Sequence, residues 1–296
     1  MKLGFVILNY GTYVETDECI QSIFMHIDLH ADEYVIVIVD NGSKDDSLLK
    51  LKQKYNDDKI VQIISTGQNL GFANGNNYGI AYVNENFSPD FVVVLNSDTE
   101  LFQDDFYKKV LTEYEHSGFG LLGPMMCIAS GHCDDSPWEP ITVSTVEKRL
   151  AYYKKINKRI KNRTIYLFKL AEKIKSLFIK SAWVDSIHVH REFWKYQTDV
   201  ELQGAFLVFS KELLTRISGF DDRTFLYYEE QLLYLKVKRI GLPIVYDPRI
   251  AVYHKDGRST QNFMRASKEK LQFLTKCNIE SLEVLLKELK ENSKWN

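Results

Sequence analysis

Long apolar runs are missing from this chain, and so is the P-loop signature of a common nucleotide site. No stretch in its 296 residues is long enough to predict a membrane-spanning helix. The N-terminal apolar run stops at Asn9-Tyr10 without the small-residue cleavage site of a signal peptide. Cysteine is scarce: Cys19, Cys127, Cys133 and Cys277 show no CxxC spacing. That pattern argues against a disulfide framework and for free thiols in a reducing compartment, with the cytoplasm as the expected location. The glycines of Gln68–Ile80 follow neither GxGxxG nor GxxxxGKS/T spacing, so the ordinary dinucleotide and P-loop readings lose ground. An excess of one charge is also lacking, since 38 basic and 40 acidic residues leave a net charge of −2. No nucleic-acid recognition motif is present, and acids at predicted strand ends would repel phosphates, so nucleic acid is not an expected partner.

What the chain does have is a set of apolar runs that open abruptly onto polar residues. Phe5-Val6-Ile7-Leu8 leads into Asn9-Tyr10, and Val35-Ile36-Val37-Ile38-Val39 into Asp40-Asn41-Gly42-Ser43. Phe91-Val92-Val93-Val94-Leu95 reads as a buried strand ending on Asn96-Ser97-Asp98, an amide, a hydroxyl and a carboxylate. In an open α/β sheet, ligands bind outside the carboxyl ends of the strands. Asp98 there offers the hard oxygen that Mg2+ or Mn2+ takes beside a diphosphate. Between the second and third runs lies Gln68–Ile80. Gly71 and Gly75 in it permit close backbone approach, and its asparagines suit the cap of a following helix. A helix N-terminus with free amides suits a phosphate or a polar sugar group.

Strands are predicted near 3–9, 35–39, 60–64 and 91–95, alternating with helices near 16–29, 44–55 and 75–86. That alternation is the pattern of a parallel sheet with right-handed crossovers. A helix near 103–116 and a strand near 119–127 follow, then an insertion over 130–198. Beyond it come a strand from Ala205 to Phe209, a helix from Lys211, and a helix from Glu229 to Arg239 ended by Gly241 and Pro243. The tail from Phe263 reads as two amphipathic helices bracing the domain.

Charge is unevenly spread within this plan. Between Glu147 and Lys180 stand twelve basic residues and only two acids, with apolar residues such as Tyr152, Ile156, Ile160, Leu170 and Ile174 at helical spacing. Such a basic amphipathic segment can lie on anionic lipid, at the inner face of the cell membrane. The alternative is a helical pair whose apolar stripe packs on the domain. Two further clusters, His132-Cys133-Asp134-Asp135 and His188/His190, lack companion ligands at zinc-site spacing and are read as structural or surface residues.

Taken in order, six segments carry a resemblance: Val6–Tyr10, Val39–Ser43, Asn69–Gly79 and Leu95–Asp98, then Gly204–Leu207 with Gly219–Glu230, and His254–Ser259. Together they make the chain similar to the inverting glycosyltransferases of family 2, close to the bacterial rhamnosyl- and galactosyltransferase-like branch. The resemblance implies an α/β GT-A fold, a mixed, mostly parallel central sheet flanked by helices, with a basic helical insertion and C-terminal helices. It implies a catalytic domain over 1–260, with a donor half at 1–128, the insertion at 130–198 and an acceptor half at 199–260, and a C-terminal extension at 261–296.

The implied reaction moves a sugar from a UDP- or dTDP-sugar to a hydroxyl of a growing, lipid-linked surface glycan, assisted by Mn2+ or Mg2+. By the same resemblance Asp98 and His254 hold the metal, and Asn9, Asp40, Asn69, Gly71, Asn76, Asn96 and Ser97 bind the donor nucleotide. Asn77 would line that pocket too, and Asp40 would accept the imide N–H of uracil or thymine. Gln203, Gly204, Ala205, Tyr228 and Glu229 face sugar and acceptor, and Glu230 is the base.

The chain departs from the family pattern where Asn96 and Glu230 stand at positions that often carry Asp, and where Leu232 replaces a further Asp. Two alternatives stay open. A sugar nucleotidyltransferase would need a basic glycine-rich loop after the first strand, which Asn9-Tyr10-Gly11-Thr12 lacks. A glycan-binding protein without turnover would find its support in Asn96 and Leu232.

Overall fold

Side-chain alternation decides the first half of the fold. In Leu3–Asn9 (β1), Phe5 and Ile7 enter one apolar core and Val6 the other, all fully buried, so both faces of the strand are covered. The same holds for Tyr34–Asp40 (β2) and Phe91–Asn96 (β4). The computed structural model describes residues 1–128, 136–162, 164, 192–255 and 267–292. The remaining strands among them are Val61–Ser65 (β3), Thr99–Leu101 (β5), Leu121–Cys127 (β6), Gln197–Thr198 (β7), Phe206–Ser210 (β8) and Ile244–His254 (β9). They form one sheet in the order β3-β2-β1-β4-β8-β6-β9-β5, with β7 on β9.

β3, β2, β1 and β4 are parallel, as the alternation predicts, whereas β8 runs antiparallel to both β4 and β6. The sheet is therefore mixed. Tyr13–His26 (α1), Ser47–Tyr55 (α2) and Phe106–Ser117 (α4) cover the face lined by Phe5, Ile36 and Val93. Phe72–Phe87 (α3) covers the other, joined by Glu229–Ile240 (α7), which follows the short Lys211–Leu214 (α6). Gly75 and Gly79 let α3 lie close on β1: a Cβ at Gly79 would stand 2.4 Å from Val6. Strand order reverses between β1 and β4, because α1 and α2 lead outward from β1 to one side while α3 brings the chain back to the other. That reversal is where open α/β sheets hold ligands.

Several expectations change. The tail is one helix, Lys268–Asn292 (α8), because nothing between Lys268 and Asn292 breaks the pattern. The basic segment begins as Val143–Lys161 (α5), whose stripe of Val146, Leu150, Ile156 and Ile160 packs on Leu271, Leu282 and Leu285 of α8. The apolar face of α5 is thus covered by the domain itself; the rest of the basic segment lies outside the described residues. So do the His132–Asp135 and His188/His190 clusters and Gly257–Ser259. Cys127 is disulfide-bonded, unlike the free thiol expected. The lack of CxxC spacing bears on metal and redox motifs, not on a pairing the fold brings about. Cys19 and Cys277 are buried free thiols, and the partner of Cys127 lies outside the described residues. No helix among the described residues is long and apolar enough to cross a membrane.

Candidate active site

The ends of β1 and β2 are tied together by buried polar groups. Asn9 donates from Nδ2 to Asp40 Oδ1 at 3.0 Å and to Ser43 Oγ at 3.2 Å. Its Oδ1 accepts from Thr12 N, Thr12 Oγ1 and Thr16 Oγ1. Asp40 is 1 % exposed, and its Oδ2 accepts from Ser43 N and Ser65 Oγ. The pair holds the loops from below instead of presenting free groups to a ligand. Above them lies an open hollow of about 270 Å³ lined by Tyr10, Gly11, Lys44 and Asp45.

Asn41, which the sequence reading passed over, clamps the next loop. Its Nδ2 donates to Gly71 O at 3.0 Å and to Asn69 Oδ1 at 3.3 Å, and its Oδ1 accepts from Leu70 N at 2.9 Å. An amide can satisfy donor and acceptor at once, and Asn before Gly in a turn is the signal that could have found it. Gly71 has φ +84°, and a Cβ there would meet Phe225 O at 2.2 Å, so this loop touches the approach to α7 directly. Asn76 and Asn77 do not line a pocket. Asn76 is buried and bonds Phe72 O one turn back, while Asn77 grips Phe220 through both its amide and carbonyl groups. A helix has several faces, and the one carrying Gly75 lies on Leu8 and Asn41 at the strand ends while Asn77 points to Phe220.

The end of β4 meets the end of β9. β5 pairs antiparallel with β9 so that Thr99 stands opposite His254, which places His254 Nε2 3.4 Å from Asp98 Oδ1. The backbone closes the same corner, Lys255 N donating to Asp98 O at 2.9 Å. Ser97 Oγ lies 3.0 Å from Thr12 Oγ1, joining this corner to β1. Among the described residues no three His, Cys, Asp or Glu side chains gather as a metal site. One carboxylate and one imidazole nevertheless fit Mn2+ or Mg2+ when diphosphate oxygens and water supply the other ligands.

The chain then turns to α7 through a pair of strained residues. Tyr227 and Tyr228 both adopt left-handed backbone conformations, φ +75° and +66°, which cost roughly 1–3 kcal/mol each and cluster where geometry serves function. Ser281 Oγ of α8 holds this turn by donating to Leu226 O. Tyr228 packs among Val146, Leu150, Leu232, Leu282 and Leu285, under the Arg149 guanidinium, and so belongs to a core instead of walling an acceptor.

Glu229 is 3 % exposed and turned inward, close enough to Tyr227 and Cys277 to act on their ionisation, and its Oε1 has no hydrogen-bond partner among the described residues. It therefore faces the interior of the fold. Glu230 is half-buried and lies against Gly204, whose backbone offsets part of the rise that burial gives its pKa. A Cβ at Gly204 would stand 2.8 Å from Glu230 Oε1, so a larger residue there would push the carboxylate aside. Burial raises the pKa of both carboxyls, and for Glu229 the charge of Glu230 adds to the rise.

Gln203, Gly204 and Ala205 form the segment between these parts. Ala205 O accepts from Asn96 N at 2.9 Å and from Thr99 Oγ1 at 3.2 Å, which binds the segment to the Asp98 corner. Glu201, not singled out from the sequence, precedes it as a buried carboxyl with its pKa raised to about 7 by burial. No motif announces Glu201; only tertiary contact reveals it. Asn9, Asp40, Asn69, Gly71, Ser97, Asp98 and His254 thus converge on one edge of the sheet, with Asn96, Ala205, Gly204 and Glu230 continuing from it.

Comparisons with known proteins bear on the family and the fold. A family model described as Glycosyl transferase family 2 matches residues 5–175, more than half of the chain. The low-salt glycan biosynthesis hexosyltransferase Agl10 of Haloferax volcanii is 29% identical over 129 residues, which cover 44% of this chain and only 38% of that protein. Among solved structures, S. aureus TarS 1-349 in complex with UDP-GlcNAc superposes with a TM-score of 0.54 and 14% identity, over 98% of this chain and 71% of that one. The mannosyltransferase PcManGT from Pyrobaculum calidifontis, in complex with GDP-Man and Mn2+, gives 0.55 at 14% identity over 98% and 72%. At that identity the likeness is one of fold.

Proposed function

This chain belongs to glycosyl transferase family 2 and has the GT-A fold, and from that premise we propose that it transfers a sugar, with inversion, from a UDP- or dTDP-sugar to a hydroxyl of a growing surface glycan. One observation carries the reading. Two consecutive residues adjoin the two halves of the reaction, Ala205 O accepting from Asn96 N at the strand end that leads to Asp98, and Gly204 lying against the Glu230 carboxylate.

Direct displacement at the anomeric carbon needs a base for the acceptor hydroxyl and stabilisation of the departing nucleoside diphosphate. Asp98 and His254 would hold Mn2+ or Mg2+, which supplies Lewis-acid stabilisation of the diphosphate. Glu230 takes the proton from the acceptor hydroxyl. Burial strengthens it as a base, and the close approach of Gly204 leaves its carboxylate room at the end of the segment. Only one carboxylate is required, because no covalent sugar–enzyme intermediate forms, in contrast to retaining hydrolases. Asn69, Gly71, Asn96 and Ser97 border the donor, while Asn9 and Asp40 set the shape of the loops facing the uracil or thymine. Gln203 to Ala205 leave room for the sugar. For a lipid-linked acceptor, Lys148, Lys155, Lys158 and Lys161 stand exposed on α5 to meet anionic headgroups.

Calorimetric titration with UDP, dTDP, GDP and ADP, each with Mn2+ and with chelator, tests the donor reading. Binding of UDP or dTDP that requires Mn2+ and is lost in Asp98→Asn sustains it. Equal binding of ADP, or no binding of any nucleotide, ends it.

A further inference from the structure

We propose that Glu201 is a positioning residue for Glu230, locking the first turn of α7 through Gln231 and tying it to the lead-in of α5. The inference rests on the reading of Glu230 as the base. Glu201 is 1 % exposed and makes two side-chain bonds: Oε2 accepts from Gln231 Nε2 at 3.0 Å, and Oε1 accepts from Ile141 N at 2.6 Å. Its backbone exchanges hydrogen bonds with Trp138 in both directions. Three parts of the chain meet on this one carboxyl: the segment that continues to Gly204, the residues 138–142 that start α5, and the first turn of α7.

The arrangement is a two-point clamp. Glu201 holds Gln231 while Gly204, three residues on, lies against Glu230, its neighbour in the same helical turn. A shift of the 138–142 lead-in therefore pulls on Glu201 and rotates the turn that carries the base. The groups facing Glu201 are Glu230 and Gln231 from α7, Arg149 from α5 and the Ile141 N–H. Glu230 opposes the charged form of Glu201, and Arg149 favours it. Neither bond touches the strand ends assigned to the donor, so the role is confined to the acceptor step.

Two readouts on the full chain test this: hydrolysis of UDP-GlcNAc with Mn2+, and the titration of Glu230 followed by 13C NMR, assigned with Glu230→Gln. Glu201→Ala is expected to lower kcat on the order of tenfold to a hundredfold while leaving KM for the donor within about twofold. Glu201→Gln keeps an acceptor and an amide for the two partners. It is expected to restore kcat to within about threefold and to leave the Glu230 titration where the wild type has it, whereas Glu201→Ala moves it. Gln231→Leu cuts the link from the other side and stands in if Glu201→Ala fails to fold. Combined with Glu201→Gln it costs no more than Gln231→Leu alone. An unchanged kcat in both Glu201→Ala and Gln231→Leu, a change in KM only, or additive losses in the double variant overturns the proposal. Absence of hydrolysis by the wild type would instead count against the proposed function. The NMR titration then decides alone, and a Glu230 curve unmoved by both Glu201→Ala and Gln231→Leu overturns the positioning role.

Discussion

Glu229 and Glu230 are the same residue type on the same turn, and their surroundings separate them. Consecutive helical side chains point about 100° apart, so one carboxyl turns toward Cys277 and the other toward Gly204. For Glu230→Gln we expect loss of donor hydrolysis by about two orders of magnitude or more with UDP binding intact, read by steady-state kinetics beside calorimetry. Because burial raises the Glu230 pKa, the acid limb of the wild-type rate profile should lie above the ordinary carboxylate range. A limb at the ordinary value would argue for another base.

Glu229 gives a stability signature of defined sign. Its folded pKa is raised, so the native state binds more protons than the unfolded one, and stability falls as pH rises from the ordinary carboxylate range through the folded value. Glu229→Gln should therefore raise the melting temperature at pH 8 and do so much less at pH 5. Equal gains at both would show that the carboxyl is not neutral when buried. Asp98 and His254 were paired through the family resemblance, and the fold brings their side chains to 3.4 Å. Glu201 was not legible, since its meaning lies wholly in what Gln231 and Ile141 bring to it.

Among elements, the strands were the most readable. β1, β2 and β4 announce themselves by β-branched runs buried on both faces, whereas β5 and β7 are too short for a periodic signal and exist only as partners of β9. α8 was read as two helices because amphipathic spacing alone marks no join. The loop before α3 shows why glycine placement was informative: Gly71 combines a left-handed backbone with contact against Phe225. Gly71→Ala should destabilise the protein by about 1–3 kcal/mol and weaken UDP binding together with it, measured by denaturant unfolding and calorimetry. Stability lost without any change in nucleotide affinity would detach this loop from the donor site. The apolar stripe of α5 was legible, but its destination was not, because periodicity states which face is apolar and never what covers it.

At the scale of the molecule, the reversal of strand order between β1 and β4 and the antiparallel return through β8 put the candidate nucleotide and acceptor sides on one edge. The parallel half was foreseeable from strand and helix alternating through Asp98. The mixed half depends on pairings between strands as distant in sequence as β5 and β9. Ligand at this edge should stabilise the whole domain by mass action. UDP with Mn2+ at a hundred times its dissociation constant should add about 2.7 kcal/mol, seen as a rise in melting temperature that chelator removes. A rise that survives chelator would point to nucleotide binding without metal.

α8 lies against α5, holds Leu226 through Ser281, and sets Phe273 edge-on to Phe225. It makes no such contact with Asn9, Asp40 or Asp98 in the bonds and ring contacts described. Phe225 O in turn accepts from Phe72 N beside Gly71, so substitutions along this helix would reach both the turn before α7 and the loop before α3. A library confined to residues 268–291 is then a way to vary those two loops without touching the strand ends.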